Sequence, residues 1–201
     1  MAKPEKHEKH VASPHIQMRE KIVAAALTLA AQMGWDMVTL GDIADECDLS
    51  LAQLHEHVED KADVLAALGR MIDARVLAQT QAPDNEASPK ERLFDVFMDR
   101  YEIINDHREG VCAIIASFRY EPGQALISLP HLCRSMSWMM EAAGLSVRGY
   151  KGALALAGLS ALYIKVLNVW REDESPDLSK TMAALDKELD RAERLADMLG
   201  F

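Results

Sequence analysis

The chain has 201 residues, 49% hydrophobic and 27% charged, the balance of a folded globular protein rather than a disordered one. Ten glycines and seven prolines exclude collagen-like and low-complexity classes, and 5% aromatics in an Ala-, Leu- and Met-rich background favour helix over sheet. The formal charge of −10 suits solubility and works against a polyanionic partner.

Residues 1–15 alternate Lys and Glu, hold two prolines and contain no apolar stretch. They read as a mobile tail, not a signal peptide. His7, His10 and His15 are solvated there rather than a metal site. From Gln17 the pattern turns helical: Ile22, Val23, Ala26, Leu27, Leu29, Ala30 and Met33 recur at three- and four-residue steps. Gly34 stops this helix. Thr39 begins a second helix of about two turns, with Asp42 placed to favour its start. A tight connection at Asp48–Leu49 leads to Ser50, where Ser50-Leu51-Ala52-Gln53 is a capping box for a third short helix. Asp60 caps a fourth, which runs to about Thr80.

Residues 81–89 form a polar connector with two prolines. The organisation expected is a tail at 1–15, a helix-turn-helix domain at 16–60, a connecting helix at 61–80, the connector, and a larger helical domain at 90–201. Within the last, helices are expected at about 90–107, 109–118, 124–143, 149–171 and 177–199. A turn at Glu121-Pro122-Gly123 precedes the third of these, and Pro130 should kink or divide it. The fold class is all-α, about nine helices, four then five. Gly152 to Trp170 is almost of bilayer length, but Lys165 interrupts it and its many Ala and Gly point to a buried helix.

Arg19, Ile22, Ala25, Ala26, Gly34, Trp35, Thr39, Leu40, Ile43, Ala44, Leu49, Ser50, Leu54, His57, Lys61 and Leu65 stand as in the TetR-type regulators, which this sequence resembles over roughly 50 residues. The resemblance implies that the third helix enters the major groove, with Thr39, Ser50, Gln53, His55 and Lys61 as DNA-contacting residues. Lys61 takes the place of the phosphate-binding Lys. His55 stands where a Tyr is usual, Val58 where a Phe is usual, and Asp48 where the turn usually has Gly. Gln53 occupies a base-reading position, and Gln pairs bidentately with adenine. Charge opposes this reading. Between Asp36 and Asp63 there are nine acids (Asp36, Asp42, Asp45, Glu46, Asp48, Glu56, Glu59, Asp60, Asp63) and one base, Lys61. A DNA reader brings several cations to displace counterions, so binding here should be weak and unusually salt-sensitive, or absent.

A narrower resemblance, at 134–144 and 177–186, is to a lipid-binding branch of the same fold: the bacterial relatives of the mitochondrial ubiquinone-biosynthesis lipid-binding protein. For an apolar ligand the candidate residues are Phe97, Tyr101, Leu132, Arg134, Met136, Met139 and Met140, a methionine-rich set suited to variable apolar molecules. Arg134 is placed to meet an anionic head group. Gly152, Ala155, Gly158 and Ala161 permit close backbone approach, and with the amphipathic last helix they resemble the pair that builds a homodimer bundle in TetR relatives. Leu178, Met182, Leu185, Leu189, Ala192, Leu195, Ala196 and Leu199 are the candidates for the apolar stripe of that last helix.

Cys47, Cys112 and Cys133 form no CxxC pair or Cys/His cluster, so neither a disulfide framework nor a zinc module is expected, and a reducing cytosol suits them. There is no nucleophile–base motif, phosphate-binding Gly loop or metal-ligand spacing, hence no catalytic residue, metal or cofactor is expected. The sequence thus points to a cytoplasmic, homodimeric, TetR-type repressor with a DNA operator and an apolar small-molecule effector. The alternative is a TetR-fold lipid- or quinone-precursor-binding accessory protein of ubiquinone biosynthesis that does not touch DNA.

Overall fold

The computed structural model describes residues 13–80, 86–120, 122–198 and 200. Among these residues there are nine α-helices and no strand: α1 Pro14–Met33, α2 Leu40–Glu46, α3 Leu51–His55, α4 Lys61–Gln79, α5 Pro89–Asn105, α6 Arg108–Ser117, α7 Pro122–Ala142, α8 Gly149–Glu172 and α9 Ser179–Met198.

Most of the helix starts are written locally. Ser13 accepts from the Ile16 N–H and Pro14 opens α1, a cap and first-position proline that end the expected tail two residues early. Its residues 1–12 lie outside the described residues. Thr39 and Asp42 form a reciprocal capping box on α2, and Ser50 and Gln53 another on α3. Between them Asp48 takes φ 56°, the left-handed turn conformation that Asp tolerates better than most residues. Asp60 caps α4 through the Asp63 N–H at 2.7 Å. A third capping box, Ser88 with Glu91, starts α5 inside the expected connector. The rest of that connector, 81–85, lies outside the described residues.

Pro130 neither divides α7 nor ends it: the helix is continuous from Pro122 to Ala142. The carbonyl that loses its helical donor belongs to Leu126, a residue that is 71% exposed, so water can replace the missing N–H. Of the turn expected at 121–123, Pro122 and Gly123 already belong to α7, and residue 121 lies outside the described residues. Gly144 (φ 72°) follows the end of α7.

Helix α1 packs on α6 and α4, α4 on α5 and α7, and α8 on α7 and α9. The α1–α6 contact is close enough to require glycine. A Cβ on Gly110 would lie 2.5 Å from the Leu27 carbonyl oxygen. Trp35, Phe97, Tyr101 and Trp170 are the largest fully buried side chains. The Tyr101 hydroxyl donates to the Tyr163 carbonyl at 3.1 Å. Arg108 donates to the Trp170 carbonyl at 2.8 Å and lies 4.9 Å over its ring.

Asp173, at the end of α8, accepts from the N–H and hydroxyl of Thr181, both at 2.8 Å, and from Ser175. Burial opposes its ionisation, but these hydrogen bonds outweigh burial and hold its carboxyl well below the usual carboxylate range.

Among the described residues α8 alone is long and apolar enough to cross a membrane, and only 33% of its most apolar window is buried. The sequence reading of a buried helix therefore holds for one face. Leu159, Leu162, Tyr163, Val166 and Trp170 enter the core, whereas Leu154, Ala157, Gly158, Ala161 and Ile164 are exposed. Gly152 does not belong to that exposed small-residue face. Its missing side chain makes room for the Val147 backbone, 2.2 Å from an added Cβ. On α9, Leu185 and Leu189 are buried and Met182 and Leu195 exposed; Leu199 lies outside the described residues.

Candidate functional site

Two places carry chemistry: the outer surface of α1–α4, and a cavity between α4, α5, α6, α7 and α8.

In the first, α2 and α3 are set by their capping boxes, and Thr39, Ser50, Gln53 and His55 are all exposed. Three of the four are already engaged. The Thr39 hydroxyl donates to Asp42 at 2.7 Å. The Gln53 amide oxygen accepts from both the N–H and the hydroxyl of Ser50, at 2.9 and 3.0 Å. Bidentate reading of adenine needs that oxygen as an acceptor and the amide N–H₂ as donor. Gln53 must therefore leave Ser50 to read a base in that way.

The nearby bases are tied inward too. Lys61 donates to the Trp35 carbonyl at 2.7 Å and stands 4.6 Å over the Trp35 ring. Lys21 donates to the Cys47 carbonyl at 2.7 Å, capping the end of α2. Arg19 lies 3.6 Å from Asp63. The acids point outward: Asp36, Asp45, Glu46, Asp48, Glu56, Glu59 and Asp60 are exposed. His57 meets His15 with ring centroids 4.7 Å apart.

The cavity has a volume of about 300 Å³. Its apolar wall includes Leu65, Leu68, Ile72, Phe118, Leu132 and Trp138. Its polar wall is a buried cluster from three helices. Arg100 of α5, 3% exposed, donates to Asp73 of α4 at 2.5 Å. The Ser135 hydroxyl of α7 donates to the same carboxylate, 2.6 and 2.8 Å from its two oxygens. The Arg100 guanidinium also lies 5.3 Å over the Tyr163 ring.

Of the seven residues the sequence offered for ligand binding, Leu132 and Arg134 stand in the cavity wall. Phe97, Tyr101, Met136, Met139 and Met140 are instead fully buried core residues, none more than 3% exposed. Methionine and aromatic side chains at helical spacing fill irregular core gaps as readily as they line a pocket. Arg100, Asp73 and Ser135 were not singled out. Their signal in the sequence is faint: Arg100 stands between Phe97 and Tyr101 on an otherwise apolar helix face.

Solved structures share this architecture along most of the chain. A TetR transcriptional regulator from Nitrosomonas europaea superposes with a TM-score of 0.70 at 23% identity, over 89% of this chain and 99% of the other. One from Rhodococcus sp. RHA1 gives 0.61 at 16% identity, over 88% and 96%. A TetR-family regulator from Streptomyces coelicolor gives 0.52 at 14% identity, over 92% and 98%. No family model matches the chain, and neither does any curated protein. At these identities the likeness establishes the fold: the chain is all-α with a TetR-like architecture.

Proposed function

We propose that the chain is a TetR-type transcriptional repressor, a homodimer that reads an operator through α2 and α3 and is controlled by a small apolar effector in the cavity. The observation that carries this reading is a continuous physical connection. Helix α4 lines the cavity from Leu65 to Asp73. Two residues before that stretch, Asp63 pairs with Arg19 of α1, and also with Arg70 of the cavity wall. The structurally similar proteins are transcriptional regulators, which supports the reading. The proposed division follows: a helix-turn-helix unit through residue 60, α4 as connector, and a ligand-binding and dimerising unit from residue 90.

The exposed apolar face of α8, with Met182 and Leu195 of α9, is the proposed dimer surface. Two copies would bury it in a four-helix arrangement. Sedimentation at micromolar concentration should give twice 22.3 kDa; a single species of monomer mass excludes this dimer.

One observation favours a second reading. Seven acids on the outer surface of α1–α4 are exposed, while Lys21 and Lys61 are held on backbone carbonyls. A ligand-binding protein that does not grip DNA, of the lipid- or quinone-precursor-binding kind, fits that surface. Gel retardation on the protein's own upstream region at low salt separates the two, beside mass spectrometry of co-purified lipid. Retardation supports the repressor. Bound lipid without retardation supports the accessory protein.

A further inference from the structure

The cavity is charged oppositely to the chain. Its wall holds three arginines, Arg70, Arg100 and Arg134, against one acid, Asp73, in a protein whose formal charge is −10. Arg100 is the anchor. Nη1 is on Asp73 at 2.5 Å, Nη2 is 3.4 Å from the Ser135 hydroxyl, and buried Nε has no hydrogen-bond partner among the described residues. A buried guanidinium with an unused N–H is under-satisfied. Asp73, in contrast, takes both the guanidinium and the Ser135 hydroxyl. An ion pair buried beside an apolar cavity stabilises no better than well-packed apolar side chains would. As a binding device it is effective, because a guanidinium stripped of water holds a carboxylate strongly and with defined geometry.

We propose that the cavity takes an apolar carboxylic acid: the hydrocarbon or aromatic body lies against Leu65, Leu68 and Trp138, and the carboxylate competes with Asp73 for Arg100. Arg134 adds attraction at the more exposed part of the wall, whereas Arg70 is engaged by Asp63 at 3.3 Å. The proposal rests on the repressor reading only for its consequence, that this acid is the effector. Displacing Asp73 from Arg100 loosens α4 from α5 and α7, and α4 is the helix whose Asp63 holds Arg19 of α1.

The test is titration calorimetry on the full chain with decanoate and its uncharged counterpart 1-decanol. Decanoate should bind at least about tenfold tighter, the range of one desolvated charge-assisted contact. The decisive variant is Asp73→Asn, which removes the competing carboxylate. It should tighten decanoate about tenfold on the same argument and leave 1-decanol unchanged. A purely structural ion pair predicts the reverse, since the variant would then only loosen the site. Asp73→Asn strands the buried Arg100 and Arg100→Gln strands Asp73, and either change threatens folding, so the double variant Asp73→Asn/Arg100→Gln is compared as well; it should lose most of the preference for decanoate. Equal binding of acid and alcohol, no binding of decanoate, or weaker decanoate binding in Asp73→Asn overturns the proposal. Should the acid bind as described by a protein that retards no DNA, the site stands and the repressor reading falls. Should DNA be retarded with no preference for the acid, the reverse holds.

Discussion

The outer surface of α1–α4 and the cavity behind it use charge in opposite ways. On the surface, acids face solvent while Lys21, Lys61 and Arg19 hold the helices together from within. In the cavity the arginines outnumber the acid, and the most buried of them, Arg100, keeps an unused donor. On the proposed reading, a small anion in the cavity and a polyanion on the outer surface would meet opposite charge environments. Affinity for a polyanion and affinity for a small anion are therefore set in separate places and can be changed separately. The inward use of the bases also alters one expectation from the sequence. The salt slope of DNA binding counts the cations that displace counterions. With these bases on backbone carbonyls and on Asp63, binding should be weak but with a shallow slope, rather than unusually salt-sensitive.

The largest expected effect comes from breaking the reading unit itself. Trp35 is fully buried, its indole N–H donates to Gln124 at 3.3 Å, and Lys61 rests on its ring and carbonyl. Trp35→Ala should destabilise the protein by about 3–5 kcal/mol, read by urea unfolding. Next is the contact between the two regions. Gly110→Ala places a methyl group against the Leu27 backbone and should cost about 1–3 kcal/mol by overpacking. If α1 follows the cavity through α6 as well as α4, this variant should also weaken the effect of decanoate on DNA binding, checked by gel retardation with and without the acid.

A third substitution lies outside both regions, where the end of α8 meets the start of α9. The Asp173 carboxyl is held below its ordinary value in the folded state, so it stabilises above about pH 4, its unfolded value, and that contribution is lost as pH falls through the folded value. Asp173→Asn should lower stability at pH 7 by about 1–3 kcal/mol. It should also flatten the loss of stability on acidification below about pH 4, followed by circular dichroism. The smallest effect falls on the reading surface. Exchanging Glu56 and Glu59, both exposed, for Gln should strengthen binding to any DNA by a few-fold, on the order of 0.5–1 kcal/mol, with no change in thermal stability.

Much of the fold was legible because most helix starts are local chemistry. Thr39 with Asp42, Ser50 with Gln53, and Asp60 each sit within four residues of what they cap, so a linear reading finds them. Ser88 with Glu91 is equally local but was hidden by neighbouring prolines that read as connector. The reading-surface candidates were legible for the same reason, though not their engagement: nothing in Lys61 foretells the Trp35 carbonyl, 26 residues away. The cavity was the least legible. Asp73, Arg100 and Ser135 lie on α4, α5 and α7 and meet only through packing, so no spacing marks them. Met136, Met139 and Met140 drew attention through composition, yet composition does not distinguish a core from a cavity wall.

The central proposal is that this chain, with its TetR-type fold, reads DNA and releases it when the cavity fills. The most direct measurement is fluorescence anisotropy of the full chain on its own upstream region at low salt, titrated with decanoate in the wild type and in Asp73→Asn. The account predicts specific, weak binding that decanoate relieves, at about tenfold lower concentration in Asp73→Asn. Binding that is no tighter to the upstream region than to unrelated DNA, or that decanoate leaves untouched in both proteins, would contradict it.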